Sequence, residues 1–234
     1  MAEYKFPTEM VELPSKGYFY FEGHPLSSGK VEIKYMTAKE EDILTSQNLI
    51  QQGTVIDKLL ESLVVDKSIK IDDMLVGDKN AIMVSARILG YGKEYEFEYD
   101  GVEQSVDLSK LEPIDLDFTK FTKGQNEFSF KLPSSERELT FKLLNGIDES
   151  DIESEINAKK KISKEQSSQL TTRLKHMILS VDGKSEKSYI NNFVDNEFLS
   201  RDSLAFRQYL SSITPDVDMN VEVVDSDGKK TEVA

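Results

Sequence analysis

Met36-Thr-Ala-Lys-Glu-Glu-Asp-Ile-Leu-Thr-Ser46 opens, and Gly77-Asp-Lys-Asn-Ala-Ile-Met-Val-Ser-Ala-Arg-Ile-Leu-Gly-Tyr-Gly92 closes, the stretch from which the fold is read. Thr37-Ala-Lys-Glu40 is a capping box, in which hydroxyl and carboxylate each reach the backbone N–H at the other end of the first turn. Glu40, Glu41 and Asp42 then sit where the helix dipole favours anions, which accounts for the acids without a metal. Gly53 stops this helix and Thr54 starts another. Ile56, Leu59, Leu60, Leu63 and Val64 fall at helical spacing and form a core-facing stripe. Asp72 and Asp78 read as N-caps. After Asp78 come Ala81, Ile82, Val84, Ile88 and Leu89, and the small residues Ala81, Ser85 and Ala86 let a neighbour approach closely. Gly90-Tyr91-Gly92 ends the helix. Arg87 in this apolar helix reads either as a snorkelling side chain or as half of a buried ion pair.

From Lys93 the period changes to two. Tyr95-Glu-Phe-Glu-Tyr99, the turn Asp100-Gly101 and the return from Val102 to Leu108 predict a hairpin. Phe128-Ser-Phe-Lys-Leu132 and Leu139-Thr-Phe-Lys-Leu143 predict a second, across a turn at 133–136. Val221-Glu-Val-Val224 and Thr231-Glu-Val233 predict a third, across Asp225-Ser-Asp-Gly228. Between the last two lie helices. One runs over 148–161. A second is opened by Ser163 and Gln166 and carries the stripe Leu170, Leu174, Met177, Ile178 and Val181 up to Asp182-Gly183. A third spans 203–213, capped by Ser200 or Asp202. The class is α+β, with an N-terminal helical cluster (36–92), a hairpin-rich middle (93–144), and a C-terminal helical region with a terminal hairpin (147–234).

Residues 1–35 read as an extended N-terminal arm. Leu13-Pro-Ser-Lys-Gly17 is turn chemistry, and Tyr18-Phe-Tyr-Phe21 follows without a break. Two readings stay open: the aromatics pack inside their own domain, or the arm docks onto a neighbouring subunit.

The 234 residues suffice for a real core, yet 31% are charged and the net charge is −14. That field repels phosphate, so no nucleic-acid partner is expected. Lys159-Lys160-Lys161 follows acids on the same helix and reads as dipole complement rather than a DNA patch. The absence of cysteine removes disulfides, thiolate metal sites and thiol nucleophiles, and fits a reducing compartment. No apolar run approaches membrane-span length, and Met-Ala-Glu-Tyr-Lys-Phe-Pro7 has no signal-type apolar segment.

Catalytic and metal motifs are weak. His24 and His176 are the only histidines; each reads as a structural residue. Asp216-Val-Asp-Met-Asn220 starts like a calcium loop, but its sixth position is Val221 where glycine is needed. Gly90-Tyr-Gly-Lys93 lacks phosphate-loop spacing. No catalytic residue, cofactor or metal is assigned.

Five landmarks occur in order: Leu13-Pro-Ser-Lys-Gly17, Met36-Thr37 leading to Glu40-Glu-Asp-Ile-Leu-Thr45, Gly77-Asp78, Arg87-Ile-Leu-Gly-Tyr-Gly92, and Pro215-Asp-Val-Asp-Met219. Together they resemble the baseplate hub and hub-assembly proteins of contractile-tailed, T-even-like bacteriophages. The resemblance implies a non-enzymatic tail-assembly protein whose partners are other baseplate or tail proteins. It implies residence in the host cytoplasm during assembly, either as a hub component carried into the virion tail baseplate or as a factor that promotes hub assembly. Members of that family often carry Cys-x-x-Cys knuckles after the Tyr-Gly segment; Asp100-Gly101 stands there instead, so no zinc ribbon is carried over. Their aromatic-rich tail is likewise not found before Ala234. The alternatives are a transient hub or tape-measure chaperone that leaves the particle, and a cell-wall hydrolase using a carboxylate such as Glu40. A homo-oligomer is a further state that apolar surfaces would permit. The candidate contact residues are Leu13, Pro14, Tyr18, Phe19, Tyr20, Phe21, Arg87, Tyr91, Leu170, Leu174 and Met177.

Overall fold

The computed structural model describes residues 7–162 and 169–233. Strand β1 (Thr8–Glu12) pairs antiparallel with β2 (Lys30–Lys34), register Val11↔Val31. Alternation puts Val11, Val31 and Ile33 on the covered face of this ribbon, and all three are buried. The chain between the strands is wound tightly. Gly17 has φ +72°, and a Cβ there would collide with the Ser27 carbonyl. Residues 7–35 are therefore a folded hairpin whose Leu13, Phe19, Tyr20 and Leu26 lie in the core, not an extended arm. The physical reason is that Phe19 finds four aromatic neighbours within the chain, at Tyr18, Phe118, Phe121 and Phe128.

The helical cluster follows as α1 (Ala38–Leu44), α2 (Gln47–Gln52), α3 (Val55–Leu63) and α4 (Val76–Tyr91). The capping box forms at α1. The helix expected to run to Gly53 is two helices, broken at Thr45 and Ser46; Gly53 terminates α2. The stripe on α3 is core, with Leu59, Leu60 and Leu63 buried. Asp72 lies in a short 3-10 turn, Ile71–Asp73, and Asp78 lies inside α4, which starts from Leu75. Neither caps a helix in the expected way.

Three hairpins appear where alternation placed them. Strand β3 (Glu94–Tyr99) pairs with β4 (Val102–Asp107), β5 (Phe128–Lys131) with β6 (Glu138–Phe141), and β8 (Val221–Val224) with β9 (Lys230–Val233). Helix α5 (Gly146–Ile162) follows the second hairpin, and α6 is Gln169–Met177. Ser163 and Gln166, expected to open α6, lie outside the described residues.

The stripe read as one helix from Leu170 to Val181 is split. Ile178–Val181 is strand β7, which joins β6 as Leu139↔Val181 to make a three-stranded sheet, β5-β6-β7. Asp182-Gly183 is thus a turn beyond a strand rather than a helix stop. Helix α7 (Lys187–Asn192), a π turn at Phe193–Glu197, and α8 (Ser200–Ile213) complete the set. Phe206 of α8 packs edge-on against Phe141 at 4.9 Å, and both are fully buried beneath the sheet. One hydrophobic core runs from Val11 through α3, α4, the sheet and α8 to Val217, so it joins all four stretches of the chain.

Candidate functional site

The N-terminal turn of α4 gathers sequence-distant landmarks into one knot. Buried Asp78 accepts from Ser15 N (3.0 Å), Ser15 Oγ (2.7 Å) and Tyr20 OH (2.6 Å), while Tyr20 OH accepts from Leu75 N at 2.9 Å. Gly77 has no Cβ because the Pro215 carbonyl lies in that space, and Asn80 Nδ2 donates to Asp216 at 3.0 Å. Burial, helped by Asp216, pushes the Asp78 carboxyl above the usual carboxylate range despite its hydrogen bonds. Burial and then Asp78 push the Tyr20 hydroxyl far up, so it remains a donor. Sequence reading missed this role of Asp78, because its partners are 58 and 63 residues away and leave no periodic trace.

Two further carboxylates read as local helix features have longer reach. Glu40 is buried and accepts from Lys34 Nζ (2.7 Å), Ser62 Oγ (2.6 Å) and Thr37 N (2.9 Å). Burial opposes its charge, but those donors outweigh burial and hold it well below the usual range. So placed, Glu40 has no access to a cell-wall polymer. Asp202 does not cap α8; it accepts from Ser134 N (2.7 Å) and Ser135 N (3.0 Å) and locks the β5–β6 turn. His24 Nδ1 accepts from Leu26 N, its ring stacking on Tyr20, and His176 Nε2 faces Glu155 at 3.0 Å. Among the described residues no three His, Asp or Glu side chains converge as metal ligands, and no helix is long and apolar enough to cross a membrane.

The other end of α4 is open. An apolar groove of about 530 Å³ lies between that helix, the β3–β4 hairpin and the C-terminal hairpin. Helix α4 contributes Met83, Val84 and Arg87. The first hairpin contributes Tyr95, Phe97 and Val106, which share one face through the pairing Tyr95↔Val106. The tail contributes Met219, Val221 and Val233. Two contacts hold the hairpins together. Gln104 Nε2 donates to Val224 O (2.9 Å) and its Oε1 accepts from Val224 N (3.1 Å); Asp100 accepts from Ser226 N and Oγ. Arg87 does not snorkel freely, and among the described residues it pairs with no carboxylate. Its guanidinium donates to Gly92 O (3.1 Å) and covers the rings of Tyr91 (5.0 Å) and Tyr95 (5.7 Å).

The eleven expected contact residues divide sharply. Leu13, Pro14, Phe19, Tyr20, Leu174 and Met177 are buried within the chain, so as contact residues these six are corrected: intramolecular packing uses the surface they would offer; Tyr18 is partly buried and keeps some. Phe21, Tyr91 and Leu170 remain exposed, at 63%, 49% and 44%. Of the eleven, only Arg87 lines the groove, with Tyr91 against it. The residues missed were those of the paired hairpins. Their alternation was legible, but not that two ribbons would splay over α4 and leave a trough. Compared with known proteins, the chain matches no family model, no curated protein and no solved structure.

Proposed function

We propose that the chain is a tail-assembly protein of contractile-tailed phages, a component or assembly factor of the baseplate hub, acting through protein contacts and not catalysis. The observation that carries this reading is the meeting of its landmarks. Leu13-Pro-Ser-Lys-Gly17, Gly77-Asp78 and Pro215-Asp-Val-Asp-Met219 come together around the start of α4, through Ser15 to Asp78 and Gly77 against the Pro215 carbonyl. Arg87-Ile-Leu-Gly-Tyr-Gly92 forms the other end of the same helix, at the groove. Segments that carry the resemblance are thus parts of one structural unit, as residues of a shared scaffold would be.

A contact role is supported by the groove, an apolar depression walled by residues from three separate parts of the chain. The test is mass spectrometry of hub intermediates and finished tails from infected cells. The expected result is the chain in hub intermediates. Retention in finished tails identifies a component, and loss from them identifies a factor that leaves. Absence from both overturns the assignment.

A further inference from the structure

We propose that the groove at the C-terminal end of α4 receives a cationic amphipathic helix from a partner protein. The inference rests on the contact reading of the groove, and does not depend on the partner's belonging to a phage tail.

The floor sets one half of the partner's chemistry. Val84, Phe97, Val106 and Val221 present only carbon to the trough, so what seats there is apolar on one side. Met83 and Met219 line the trough with unbranched thioethers, which adapt to irregular side chains better than branched residues do. A trough of about 530 Å³ takes about three or four anchor side chains, the number that an amphipathic helix offers at successive i, i+3/i+4 and i+7 positions. Addition of a strand to β8 is opposed at Val224, where the Gln104 amide already occupies the N–H and C=O.

The charge of the two hairpins sets the other half. Residues 93–107 and 216–233, which make both hairpins, hold twelve acids against three bases, a net −9 of the chain's −14. Glu94, Glu98, Glu222 and Glu232 are exposed on the outer faces of these ribbons, one residue out of step with the groove-lining Tyr95, Phe97, Val221 and Val233, so they act on the trough through the field of the hairpins. An apolar floor between acidic ribbons favours Lys and Arg flanking the apolar stripe of the incoming helix. The same field opposes an anionic amphiphile. Arg87, the lone cation of the lining, is already engaged by the Gly92 carbonyl and two rings. A second copy of this chain would bring another net −14 to the contact.

The experiment titrates the full chain, labelled with ¹³C at its methionine methyls, with synthetic amphipathic helical peptides. One set has Leu, Met or Phe anchors and Lys flanks; the matched set has Glu flanks. The Lys-flanked peptides are expected to bind and to move the Met83 and Met219 signals, leaving exposed Met10 and core Met74 in place. Binding should weaken as salt is raised, and the Glu-flanked peptides should bind at least about tenfold more weakly. Tyr95→Ala on the exposed wall and the double change Glu94→Lys, Glu232→Lys on the outer faces of the hairpins should each weaken the Lys-flanked peptides several-fold, with the circular dichroism spectrum unchanged. Equal binding of both flank types, displacement of Met10 rather than Met83 and Met219, or saturation by none of the Lys-flanked peptides overturns the proposal. Such a failure leaves the tail-assembly reading standing, since that reading is decided by the composition of hub intermediates and tails.

Discussion

Two aromatic runs in this chain meet opposite fates. Tyr18-Phe-Tyr-Phe21 has no polar residue between its rings, and the fold winds it into a turn whose Phe19 is enclosed by Tyr18, Phe118, Phe121 and Phe128. Tyr95-Glu-Phe-Glu-Tyr99 alternates with acids, forms a two-stranded ribbon, and leaves Tyr95 44% exposed at the wall of a groove. In the denser run Phe19 and Tyr20 became core and Tyr18 is partly covered, while Phe21 at its end stays exposed. The alternating run stayed open, because its acidic outer face keeps a ribbon in water on one side while only part of the other is covered. The middle of the dense run is thus consumed by the core, whereas alternation with charge leaves a ribbon face only partly covered along its length.

The largest expected effect separates these two runs directly. Phe19→Ala removes a buried ring with four aromatic neighbours and should cost about 3–5 kcal/mol in chemical denaturation. Phe97→Ala, on the half-covered groove wall, should cost about 1 kcal/mol. Similar costs at the two sites would break the comparison.

A second test enters the knot beneath the first run. Tyr20→Phe keeps the ring but deprives Asp78 of its 2.6 Å donor and the Leu75 N–H of its acceptor. Stability should fall by about 1–3 kcal/mol, read from the same denaturation curves. A third test uses pH. Because burial raises the Asp78 pKa in the folded chain, the folded state binds the proton more tightly than the unfolded state. The stability this gives is fully present below the unfolded value of about 3.9 and is lost as pH rises through the folded value. Wild type measured against Asp78→Asn should therefore lose relative stability on going from acid to neutral pH, while groups common to both, such as Glu40 with its opposite sign, cancel. A flat difference would mean that the carboxylate is not desolvated.

Much of this architecture was legible in the chain because it rests on local signals. Asp100-Gly101 and Asp225-Ser-Asp-Gly228 mark hairpin turns wherever they fall, and the Thr37–Glu40 box fixes the start of α1. Failure came where a distant partner decides. Leu174, Met177, Ile178 and Val181 satisfy helical spacing, yet β6 offers open backbone groups and draws Ile178–Val181 into the sheet. Asp78 and Asp202 carry the residue type of a cap, yet their acceptors serve N–H and O–H groups from segments more than 55 residues away. The groove was legible only in part: Arg87 and Tyr91 were marked, but the trough exists through the docking of one hairpin on another.

That docking is the smallest and most local effect to test. Gln104 on β4 is the one side chain that bonds both the N–H and the C=O of Val224, and so imitates a neighbouring strand for a single residue. Replacing it with Ala leaves the apolar residues of both hairpins in place and removes this clamp together with a 3.2 Å bond from Gln104 Nε2 to the Val102 carbonyl. The global cost should be about 0.5–1.5 kcal/mol, since solvent can reach the freed Val224 groups once the ribbons part. Hydrogen exchange should respond more clearly than denaturation: amides of Val221–Val224 and Lys230–Val233 should exchange faster, while those of α3 and the β5-β6-β7 sheet keep their protection. If exchange quickens throughout the chain instead, the C-terminal hairpin belongs to the same cooperative unit as the buried aromatic run, and the contrast between a closed core and a separately held, open groove falls away.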